Sequence, residues 1–163
     1  MCGCASSKKM IITESLDETP VITGSIVNPA VFEKGGSLIL GSFKPGSNAA
    51  ADDTTDHLSM MIIKGINDTL PAINNPFTIV SDDQKNTDCV LEGYIEDYSK
   101  KGNAYILSVD GEIWLKATGE KIFLFQTSAI IKIKTQNPNT IAYEIGIAVA
   151  HYIGSQVKEP VSS

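Results

Sequence analysis

The chain has 163 residues and a formal charge of −6, with 42% hydrophobic and 20% charged residues. That length suits one domain with a core of its own, and the composition excludes a disordered or coiled-coil chain. A mildly acidic chain gains nothing from releasing counterions on nucleic acid, and no apolar run has the length of a membrane-spanning helix.

The start, Met1-Cys2-Gly3-Cys4-Ala5-Ser6-Ser7-Lys8-Lys9, places two of the three cysteines at the end of the chain. An odd count is no disulfide framework, and Cys-X-Cys supplies too few ligands for a structural zinc. The stretch resembles the start of a mature bacterial lipoprotein, with a lipid on Cys2 (alternatively Cys4) and Met1 in place of a removed signal peptide. A tail with incidental cysteines is the plainer alternative. Myristoylation is a third, although it requires glycine directly after Met1 and here Cys2 stands there.

Residues 1–35 are polar and turn-rich and are expected to be a tether and irregular arm, in which Val21 to Val27 suits a short edge strand. Residues 36–156 carry the domain, and 157–163 a polar tail. Ser37 to Phe43 is a continuous apolar run suited to a central strand. Residues 49–70 are predicted helical: Asp52, Asp53 and Asp56 meet the positive end of the helix dipole, and Leu58, Met61, Ile62, Gly65 and Ile66 make one face. A short strand, Phe77 to Val80, precedes a polar loop.

Three alternating segments follow and predict an antiparallel meander with one buried and one wet face. In Cys89 to Tyr98, Cys89, Leu91, Gly93 and Ile95 point inward, and Val90, Glu92, Tyr94, Glu96 and Tyr98 outward. In Ala104 to Ala117 the inner set is Tyr105, Leu107, Val109, Gly111, Ile113 and Leu115. In Lys121 to Lys134 it is Phe123, Phe125, Thr127, Ala129, Ile131 and Ile133. Cys89 therefore reads as a small buried hydrophobe. Pro138 suits the first turn of a last helix over about 140–155. The order β-α-β-β-β-β-α predicts an α+β fold, a mainly antiparallel sheet of about five strands with two helices packed on one face.

Few of these residues point to chemistry. Asp52, Asp53, Asp56 and His57 lack a glycine-centred loop that would present them to a metal. The chain shows no nucleophile elbow and no phosphate-binding glycine loop. Asp110 and Glu112 are two outward carboxylates on one strand, but glycoside hydrolysis also needs a cleft that nothing predicts. The expectation is a protein that is not an enzyme, with no cofactor and no metal. Ala142, Gly146 and Ala150 recur every four residues, which predicts tight packing of the last helix on the sheet or, alternatively, a contact between subunits. Outward Trp114, Tyr94, Ile106 and Leu124, with Val90, Tyr98, Ile122 and Ile130, predict a semi-apolar interface with Trp114 as its anchor.

The Ser37-Leu38-Ile39-Leu40-Gly41-Ser42-Phe43 strand, the helix after it, Asp88-Cys89-Val90-Leu91-Glu92-Gly93-Tyr94-Ile95, the strand ending Ala117-Thr118-Gly119-Glu120-Lys121 and the closing alanine-rich helix together resemble the CsgG/TolB-N-terminal-like superfamily of bacterial envelope lipoproteins. The likeness covers about residues 36–155 and is nearest in kind to small periplasmic or PelC-like lipoproteins. It implies a non-enzymatic protein on the periplasmic face of the outer membrane. Such a protein is lipid-anchored, is a homo-oligomer or docks on an envelope protein partner, and serves export or assembly. A monomeric, LpoB-like regulatory module for an envelope synthase is the alternative, and a periplasmic hydrolase a distant third.

Overall fold

The structure, a computed structural model, describes residues 10–11, 21–81 and 86–157; Cys2 and Cys4 lie outside them. The strands are β1 (Met10–Ile11), β2 (Val21–Ile26), β3 (Gly36–Asn48), β4 (Phe77–Val80), β5 (Cys89–Lys101), β6 (Ala104–Leu115) and β7 (Lys121–Lys132). The helices are α1 (Pro29–Lys34), α2 (Asp53–Thr69) and α3 (Pro138–Ser155), with a 3-10 turn at Leu70–Ala72. One seven-stranded sheet runs β1-β2-β7-β6-β5-β3-β4. Only the β3–β5 and β3–β4 pairs are parallel. The fold is α+β with a mainly antiparallel sheet and its helices on one face, as expected; β2 is the short strand that Val21 to Val27 suited, next to the edge, and β1 and α1 are added to the expected elements.

The additions come from the arm. β2 pairs along β7, and Ile22 and Phe32 are fully buried, so the stretch from Val21 to Lys34 contributes to the same core as the strands. Phe32 sits edge-on to Phe77, ring centroids 5.5 Å apart, and beside Phe123 at 5.4 Å. β3 is not central: β4 covers it only over Gly36–Ile39, and from Leu40 onward its pairing is with β5.

Both long helices begin as their sequences dictate. The Asp52 side chain accepts from the Thr54 and Thr55 N–H groups, both at 3.1 Å, and Thr55 Oγ1 accepts the Asp52 N–H in return, a reciprocal cap. Asn137 caps α3, with Pro138 behind it. α2 and α3 then cross with their backbones in contact. A Cβ added to Gly146 would strike the Ile62 carbonyl and lie 2.9 Å from the Gly65 Cα; one added to Gly65 would strike the Tyr143 carbonyl. Ala142 and Ala150 flank the crossing and are fully buried. The close partner of the small residue at 146 is thus α2 of the same chain, because two glycines let the helices approach more closely than a helix can approach the side chains of a sheet.

The register places two residues against the simple alternation. Between Ile95 and Asp97, β5 carries Glu96 as an extra residue, so Tyr98 pairs with Leu107 and turns to the helix side. There it stacks on Tyr105, centroids 4.7 Å apart and planes at 9°. Between Phe123 and Lys121, β7 carries Ile122 as an extra residue opposite Ile113 and Trp114, and Ile122 is fully buried. A bulge shifts the two-residue period by one and exchanges faces beyond it.

The starts of β3 and β5 are tied by side chains. Asp88 Oδ2 accepts from the Ser37 N–H at 3.0 Å and the Ser37 hydroxyl at 3.1 Å, and the Asp88 N–H donates to Ser37 Oγ at 2.9 Å. The backbone N–H of Ser37, then its hydroxyl, hold the Asp88 carboxyl below its ordinary pKa. A depressed carboxylate pKa stabilises the fold above the unfolded-state value, and that contribution is lost as pH falls through the folded-state value. Asp88→Asn should therefore lower the urea midpoint at neutral pH, and its difference from wild type should fade as pH drops below about 4. At the helix crossing, Gly146→Ala should cost about 2 kcal/mol in urea unfolding, because backbone cannot yield to the new methyl.

Candidate interaction surface

With the helices on one side, alternate residues of β5, β6 and β7 form an uncovered face on the other. Its rows follow from the register: Val90–Trp114–Lys121, Glu92–Glu112–Leu124, Tyr94–Asp110–Gln126, Asp97–Ser108–Ser128, Ser99–Ile106–Ile130 and Lys101–Ala104–Lys132. Trp114, Tyr94, Ile106 and Leu124 do share this face. They do not form one patch: Trp114 and Ile106 are eight residues apart on β6, about 26 Å, and Glu112, Asp110 and Ser108 lie between them.

Burial divides the four as well. Tyr94 is 49% exposed and Leu124 37%, whereas Trp114 and Ile106 are half-buried. The Trp114 Nε1–H donates to Glu92 Oε2 at 3.2 Å, and its row neighbour Val90 is buried. Tyr98 and Ile122, expected here, have left the face through the two bulges, and Val90 is under cover.

The centre of the face is acidic. Glu92 and Glu112 stand directly opposite one another, an arrangement that repels unless each carboxylate has a partner. Glu92 has the indole N–H, and Glu112 has Lys121 Nζ at 3.4 Å. Burial, then the charge of Glu96, push the Asp110 carboxyl above its ordinary pKa. A depression of about 180 Å³ lies over Asp110, Glu112 and Tyr94; ligand pockets are typically about 300 Å³ and larger. Among the described residues no three His, Cys, Asp or Glu side chains converge as a metal site, and Asp52 is occupied in capping α2. Burial, followed by the charge of Asp88, pushes the Cys89 thiol up to about 11.

A second concavity was not foreseen. A groove of about 540 Å³ runs between α2 and the β3–β4 edge, lined by Leu40, Met60, Ile63, Asn67 and Ile79. Met60 is 64% exposed. Its sequence signal is the spacing of Met60, Ile63, Lys64 and Asn67, a second helical stripe beside the core stripe. Lys64 at the rim is bound to Asp68 at 2.7 Å.

No protein-family model matches the sequence, and no curated protein matches it. Solved structures do. A PelC dodecamer from Paraburkholderia phytofirmans aligns over 86% of this chain and 99% of its own, with 14% identity and a TM-score of 0.59. A variant of the same PelC dodecamer gives 13% identity and a TM-score of 0.57 over the same shares. A PDZ domain protein from Parabacteroides distasonis aligns over 90% of this chain but 36% of its own, with 10% identity and a TM-score of 0.54. The chain therefore has a PelC-like fold.

Trp114→Phe keeps the ring and removes the N–H that serves Glu92. It should lower stability by about 1 kcal/mol in urea denaturation. Adding Glu112→Gln should restore part of that loss by removing the opposing charge, which a purely steric role for the indole would not allow.

Proposed function

We propose that the protein is a non-catalytic envelope lipoprotein that assembles with copies of itself as a part of an export or assembly apparatus, and that it belongs with the CsgG/TolB-N-terminal-like group. The observation that carries this reading is the alignment of 99% of a PelC subunit, solved as a dodecamer, onto 86% of this chain. In this reading Cys2 (or Cys4) bears the lipid at the periplasmic face of the outer membrane, and two or more acyl chains give the lasting attachment that one does not. The domain then presents its helix-free sheet face to the next copy. Tyr94, Ile130 and Leu124 are the outermost apolar side chains of that face, and Trp114 and Ile106 are half-buried beside them. A shallow face with paired carboxylates suits contact better than turnover.

Light scattering of the full chain with Cys2→Ser and Cys4→Ser should give one defined mass, several times that of the single chain. Tyr94→Ala with Leu124→Asp should reduce it to the single-chain value while leaving the circular dichroism unchanged. A monomer at every concentration would refute self-assembly and favour a docking module for an envelope synthase. Mass spectrometry of the membrane-extracted protein should find the acyl groups on Cys2.

A further inference from the structure

The groove between α2 and the edge of β3 exists because β4 is short. β4 stops at Val80, opposite Ile39, and among the described residues no strand pairs with β3 on that side from Leu40 onward. Leu38 is fully buried under the helices, so Leu40, two residues on, and Ile79, paired with Leu38, point the same way. Met60 and Ile63, one turn apart on α2, make the other wall. Met60 is the most exposed large apolar side chain among the described residues. Next along the edge the Phe43 N–H donates to Ser59 Oγ at 2.9 Å, and Lys44 and Pro45 follow. A bound N–H, a lysine and a proline leave too few free ladder positions for an added strand. What the groove can take is side chains.

A self-assembling subunit needs more than the sheet face. A patch that binds the same patch on another copy closes a pair and stops there. An assembly of more than two copies through one kind of contact needs two different patches on every subunit. Charge also opposes a face-to-face pair. A twofold axis through Tyr94 would set Glu92, Asp110 and Glu112 of one copy against the same three of the other, and like charges brought together across a contact cost free energy. The groove lining holds no Asp or Glu; its polar members are Ser42, Ser59, Lys64, Asn67 and Ser81, with Lys64 matched by Asp68. The groove opens on the helix side of the sheet and the acidic face lies on the other, so one subunit can offer the two to different neighbours.

We infer that this groove receives the helix-free sheet face of a second copy of the chain, its Tyr94 against Met60 and Ile63, which rests on the self-assembly proposed above and adds the surface that answers the face. Methionine is unbranched and adapts to a ring laid against it, and tyrosine and methionine are both enriched where subunits meet. The apolar walls supply the centre of such a contact, and Asn67 and the serines supply its polar rim. Repeated from copy to copy, a head-to-tail contact either closes into a ring or runs on as a filament, and one defined mass requires closure.

The test mixes two variants of the full chain with Cys2→Ser and Cys4→Ser. Met60→Glu with Asn67→Glu puts carboxylates at two exposed positions of α2 in the groove. It should bring the mass in light scattering down to that of one chain and leave the circular dichroism unchanged. Tyr94→Ala with Leu124→Asp breaks the other half of the contact. Each variant keeps the half that the other has lost, so an equimolar mixture should give a species of twice the single-chain mass and none larger. Undiminished assembly of the Met60→Glu, Asn67→Glu variant would overturn the proposal and leave self-assembly standing. So would a mixture in which every chain stays single, since groove and face would then belong to different contacts. A parent chain that is a monomer at every concentration would instead sink the self-assembly on which the inference rests.

Discussion

Two helix backbones meet at Gly65 and Gly146, and the organisation of the surface follows from that contact. A methyl group at either position would strike a carbonyl of the other helix, so only glycine permits so close an approach. The crossing makes α2 and α3 one layer: α2 lies over β3 and β5, and α3 over β2 and β7. α3 is consequently wrapped on two sides and buries Ile141, Ala142, Ile145, Gly146, Ala148, Val149, Ala150, Tyr152 and Ile153, more than one stripe of a surface helix. With both helices spent on one face, the opposite face has only its own side chains for cover. A half-wet sheet is an outcome of helix packing before it is a feature of function.

The meander was legible because a two-residue period is a local signal, and so were the two long helices, although they were expected from 49 and about 140 and begin at Asp53 and Pro138, where Asp52 and Asn137 cap them. The arm was legible only as a possible edge strand. β2 is held by Phe123 to Ser128 and β3 by Cys89 to Asp97, partners about fifty to a hundred residues away that leave no local trace. The bulges were illegible for a different reason. Glu96 and Ile122 fit the alternation as well as their neighbours do, and only the registration of the adjoining strand shows that one of them is surplus. Each miss moved a residue off the face read as an interface: Tyr98 into a stack with Tyr105, and Ile122 into the core.

Trp114 shows how a residue type misleads when its neighbours are unknown. An outward tryptophan in a strand reads as an anchor for a partner. Here its row neighbour is buried Val90 and its N–H serves Glu92. Much of its apolar surface and its one donor are used inside the chain, to shield one residue and offset the repulsion between two carboxylates. What remains outermost is Tyr94 and Leu124, beside acidic groups, and Ile130 farther along β7. An interface built there is polar and hydrated around a small apolar centre, the ordinary anatomy of contacts between folded subunits.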